Sequence, residues 1–113
     1  MINQLTIERA KKDIALTARR MLAGSVSFIE GSRKIISLQA AANIRENDPD
    51  FHAFLGISSE TDALPLGEIR SLWNPEALVK LQPEIDRAEE WAKAFGTPCC
   101  QRLIDRFHEE NSN

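Results

Sequence analysis

The chain has 113 residues, 42% hydrophobic and 27% charged, with a formal net charge of −3. That length suits one domain, residues 1–113, with a single core that needs no metal or disulfide staple. The composition argues against disorder and against a membrane-spanning class, and the negative balance argues against nucleic acid as a partner, since phosphate binding calls for a basic domain.

The first helix is expected over residues 5–23, where Ile7, Ala10, Ile14, Ala18 and Met21 recur at spacings of three and four. Arg9, Lys11, Lys12, Arg19 and Arg20 make its other side basic, as a solvated face or as a dock for an acidic partner. Gly24-Ser25 breaks the pattern, with Ser25 placed to cap a second helix over 26–44 that carries Phe28, Ile29, Ile35, Ile36 and Leu38. Gly31 lies inside that helix, where glycine costs about 1 kcal/mol relative to alanine unless another backbone comes close. The expected visitor is the central loop, with Glu30 and Arg33, neighbours at i, i+3, binding its groups.

That central stretch, residues 48–73, is the most specified part of the chain. Asp48-Pro49 is a helix-start signal, Phe51, Phe54 and Leu55 form one short apolar face, and Gly56 is placed to end it. Residues 57–66 then read as an ordered loop, and helical spacing resumes through Ile69, Leu72 and Trp73. Asn74-Pro75 opens a long segment whose stripe is Leu78, Leu81, Ile85, Ala88, Ala92 and Phe95, with Pro83 either kinking it, as the unbroken stripe favours, or splitting it into two helices. Its outer face carries Glu84, Asp86, Arg87, Glu89, Glu90 and Lys93. Gly96-Thr97-Pro98 is expected to close this segment, with Thr97 capping a last helix faced by Cys100, Leu103, Ile104 and Phe107 before a frayed tail. No alternating strand pattern competes, so the fold class is all-α: a compact bundle of about four to five helices with a long ordered central loop.

The chemistry available is sparse. Cys99 and Cys100 are adjacent and close only a strained ring, so Cys100 reads as a small core residue. Asp48, Asp50, Glu60 and Asp62 with His52 could hold a divalent cation, but the first two acids serve a helix start and no calcium-loop, HExxH or zinc spacing is present. No catalytic residue, metal or cofactor is assigned. The loop instead suggests a polar network in which Glu60, Thr61 and Asp62 meet Arg33 and Arg70, anchored by Leu66 and Trp73, and present Phe51, His52 and Leu64 to a partner. The candidate binding set is therefore Glu30, Arg33, Asp50, Phe51, His52, Glu60, Thr61, Asp62, Arg70 and Trp73.

The segments GSVSFIEGSRKIISL, DPDF and SETDALPLGEIRSLW, followed by PEAL and a glutamate-rich helix, resemble a family of small uncharacterised bacterial proteins marked by EGxRxxxxL, DPDF and SETDxLPxGxxRxxW. The likeness covers residues 24–100, and Ser32 and Pro83 depart from its pattern. It implies a compact bacterial domain without an established activity. The amino-terminal residues lack a basic stretch followed by an apolar run, so the cytoplasm is the expected compartment. The leading expectation is a non-enzymatic module that binds another protein, as an immunity-type or adaptor protein. The alternative is a small metal-dependent or small-molecule enzyme using the acids of the central loop.

Overall fold

Four α-helices and two 3-10 segments make up residues 3–110, which this computed structural model describes, and no strand lies among them. The helices are α1, Gln4–Ala23; α2, Phe28–Gln39; α3, His52–Glu60; and α4, Pro75–Glu110. The 3-10 segments, Pro49–Phe51 and Gly67–Leu72, flank α3 and its following loop. Residues 111–113 of the expected frayed tail lie outside the described residues. No helix among the described residues is long and apolar enough to cross a membrane.

Asn3 caps α1 by accepting the Thr6 amide at 2.8 Å. At the other end Gly24 enters the left-handed region at φ 82°, where a side chain would be strained. Ala10, Ile14, Ala18 and Met21 are buried as the spacing predicts, with Ala15 buried beside them and Ile7 only half-buried.

The start of α2 is corrected by two residues, and the reason is a carboxylate distant in sequence. Ser27, not Ser25, is the cap: its hydroxyl accepts the Glu30 amide at 3.0 Å. The Phe28 and Ile29 amides both go to Glu89 of α4, at 2.7 and 3.2 Å. Together these bonds satisfy the donors that a helix leaves open at its amino end. Glu89 is thus half-buried against α2, not a member of the outer face. The helix also ends earlier than expected. Asn43 takes a left-handed conformation at φ 57°, and the buried Gln39 donates to the Arg45 carbonyl at 2.7 Å, redirecting the chain.

At Gly31 the visitor is the side chain of Met21, not the central loop. A Cβ there would lie 2.3 Å from Met21 Sδ and 2.4 Å from its Cγ. Met21 Sδ also sits 4.0 Å from Cys100 Sγ, so this one flexible side chain fills the meeting point of α1, α2 and α4.

Two further glycines expected to end helices do not, and one of them, Gly96, is held by packing. Gly56 does not end α3; the helix runs to Glu60, and a Cβ at Gly56 would meet the Phe95 ring at 3.7 Å. The loop is accordingly shorter than expected, residues 61–66. Gly96 does not close α4 either. It is buried, and a Cβ there would press on Phe28 and Ile57 at 3.2 and 3.3 Å. Thr97 donates to the Lys93 carbonyl at 2.6 Å inside the helix rather than capping a new one. Pro83 and Pro98 both sit on the exposed side, where water can take the carbonyl that each proline leaves without an amide partner. So α4 is one helix of 36 residues.

Around it lies the core: Ile14, Met21, Ile29, Ile35, Phe51, Phe54, Ile57, Leu103 and Phe107 are all buried. Phe95 leaves the expected stripe and is 47% exposed.

Two outcomes follow from this packing. Gly31→Ala is expected to lower stability by about 1–3 kcal/mol through overpacking, and a Met21→Ala background should remove much of that cost; denaturant melts of the single and double variants measure the coupling. Burial, with the neighbouring Cys99 adding to it, pushes the Cys100 thiol from 9.0 up to about 12. The folded chain therefore keeps this proton where the unfolded chain loses it. Stability is full below 9.0 and falls as pH rises toward about 12, and Cys100→Ala should flatten that fall in melts at alkaline pH.

Candidate functional site

The chain turns sharply where α3 ends. Thr61 is buried there, its hydroxyl donating to the Ile57 carbonyl at 2.6 Å, while the Arg33 guanidinium donates to the Thr61 carbonyl. The Leu64 amide returns to the same carbonyl at 3.0 Å, Pro65 is buried, and Leu64 and Leu66 pack on the core. Arg33 thus holds the corner through the backbone of the loop, not through its acids: Glu60 and Asp62 are exposed.

Beyond the corner the chain is tied to α4 by a second polar chain. Arg70 donates to Gln82 Oε1 at 3.2 Å, and Gln82 donates to Asp86 Oδ1 at 2.8 Å. Arg70 therefore serves the 3-10 segment and α4, not the loop acids. Asn74 accepts the Glu76 amide at 2.8 Å and so starts α4. These bonds fix the path of Gly67–Leu72, yet they leave large apolar side chains open: Leu72 is 84% exposed, Val79 73% and Ile69 60%. Trp73 stands beside them, also exposed.

Between the end of α3 and the middle of α4 runs a groove of about 680 Å³, lined by Glu60, Thr61, Glu84, Arg87, Ala88 and Trp91. Trp91 stacks on Phe95, with ring centroids 5.6 Å apart and planes at 16°, and both rings are exposed.

Asp50 and Phe51 belong to another place. Asp48 caps the 3-10 turn by accepting the Asp50 amide at 3.0 Å, and Phe51 is buried. Arg106 reaches both acids, with Nη1 3.0 Å from Asp48 Oδ2 and 3.0 Å from Asp50 Oδ2, and Arg102 lies 3.6 Å from Asp50. Burial pulls the Arg106 pKa down, but the hydrogen bonds and charges of the two aspartates outweigh it and leave it raised. This cluster staples the turn before α3 to the carboxy-terminal half of α4. His52 and Glu30 are exposed on α3 and α2.

The ten candidate residues are therefore divided among the groove and its corner, the apolar end, the aspartate staple and two open helix faces. Among the described residues, no three His, Cys, Asp or Glu side chains converge as a set for a metal ion. Glu84 and Arg87 are exposed, as the outer-face reading expects, whereas sequence reasoning missed Val79, Trp91 and Phe95 as surface residues. A signal for the last two was present, an aromatic pair at i, i+4 on a helix otherwise charged on that side.

Fold and site together define, among the described residues, an all-α bundle with exposed aliphatic side chains at the start of α4 and a groove between α3 and α4. No family model, curated protein or solved structure matches the chain.

Removing the buried Asp48 carboxylate leaves Arg106 short of a partner and the turn uncapped. Asp48→Ala is expected to cost about 1–3 kcal/mol in denaturant unfolding, while Asp62→Ala at the exposed loop should stay within about 0.5 kcal/mol.

Proposed function

We propose that this chain is a non-enzymatic protein-binding module, an immunity-type or adaptor protein of the bacterial cytoplasm. The observation that carries the reading is the uncovered end: Leu72, Val79 and Ile69 are large aliphatic side chains more than half exposed on backbone that hydrogen bonds hold in place. A patch of this kind marks a surface completed by another molecule. Because its backbone is already ordered, a partner loses little entropy in organising it. Trp73 beside the aliphatic residues is the residue type that most often anchors such contacts. The bacterial placement rests on the resemblance of the three sequence segments.

The reading is tested by affinity capture from bacterial lysate at moderate salt. A Leu72→Asp/Val79→Asp variant should lose its partner by at least about tenfold, and an Arg9→Glu/Lys12→Glu variant on α1 should keep it. Circular dichroism checks that both remain helical. Retention of the partner by the first variant overturns the reading, and loss only in the second moves the binding surface to α1.

A further inference from the structure

We infer that α4 carries a second, separate contact surface whose occupant is another copy of this chain, docked antiparallel along Lys80, Glu84, Arg87 and Trp91. All four side chains are exposed. Their spacings of four, three and four residues keep them on one line along the helix, so they form a single strip a neighbouring helix can follow. Among the described residues, no ion pair within the chain engages Lys80, Glu84 or Arg87.

The order of chemistry along that strip decides the occupant. Read forwards it is cation, anion, cation, aromatic. A second strip laid antiparallel, about a two-fold axis between Glu84 and Arg87, sets Glu84 against Arg87 of the other copy and Lys80 against its Trp91. Symmetry repeats each pairing, giving two opposite-charge pairs at the centre and an ammonium on an indole face at either side. A parallel arrangement in register would oppose like charges instead.

The surroundings fit the same occupant. The groove beside Trp91, about 680 Å³, is open at the point where the Lys80 side chain of the second copy arrives, and Glu60 on its α3 wall supplies a carboxylate for the ammonium. Phe95 stacks behind Trp91 and fixes the indole. Stretching from Lys80 to Trp91, the strip is roughly 17 Å long at 1.5 Å per residue, short of an obligate interface, so the dimer is a reversible one. This contact does not use Ile69, Leu72 or Val79 and stands independently of the proposed function.

Sedimentation equilibrium of the whole chain tests it. The wild type should approach twice the chain mass at about 0.1 mM, and dimerisation should weaken as salt rises. Glu84→Arg places Arg against Arg, and Arg87→Glu places Glu against Glu, so each variant alone should dimerise at least about tenfold more weakly. Mixed in equal amounts, the two variants carry complementary strips and should dimerise again. Circular dichroism verifies that each is folded. A wild type that stays monomeric at about 0.1 mM overturns the inference, as do single variants that dimerise like the wild type or a mixture that stays monomeric.

Discussion

The Glu89 carboxylate accepts the first two amides of α2, and much of the rest of the architecture depends on that pair of bonds. A helix cannot satisfy its own leading donors, and Ser27 takes only the Glu30 and Gly31 amides, through its hydroxyl and carbonyl. By bringing a charged acceptor from the middle of α4, the fold fixes where α2 begins and how it lies against α4. Met21 then completes the junction, filling the space that Gly31 leaves open and reaching Cys100 on the far side. A polar clamp and an apolar plug at one junction give the bundle its register.

Length does the remainder. Helix α4 has 36 residues and α1 has 20, so at 1.5 Å per residue α4 is longer by roughly 24 Å. The carboxy-terminal part of α4 is occupied by the core and by the Asp48–Asp50–Arg106 staple. Its first turns have no such cover. The Arg70–Gln82–Asp86 chain anchors Gly67–Leu72 beside them but satisfies polar groups, leaving Leu72 and Val79 in water. The uncovered end is thus a consequence of one helix outrunning its neighbours, and the proposed binding role builds on it.

Much of the fold was legible in the sequence because burial writes itself as periodicity. The α1 face of Ile14, Ala18 and Met21, and the late α4 face of Cys100, Leu103 and Phe107, follow from spacing alone. Glycine and proline were less readable, since the same residue serves a turn or a close approach. Gly24 is a true helix end, whereas Gly96 makes room for Phe28 and Ile57, which only tertiary packing specifies. The Asp48 cap was visible because its partner lies two residues away. The Arg33 tie to the loop was anticipated in its donor and its loop, though the acceptor is a Thr61 carbonyl. Glu89 was unreadable, as nothing local distinguishes a solvated glutamate from one that caps a helix sixty residues earlier. Trp91 was passed over for a similar reason: its neighbour Ala92 belongs to the buried stripe, and exposure depends on where α3 stops.

The proposed partner surface is the uncovered end formed by Gly67–Leu72 and the start of α4. Hydrogen exchange on the free chain and on the chain bound to its captured protein tests that placement. Amides in residues 69–82 are expected to slow on binding while those of α1 are unchanged. Slowing confined to α1, or to the turn held by Asp48 and Arg106, would contradict it.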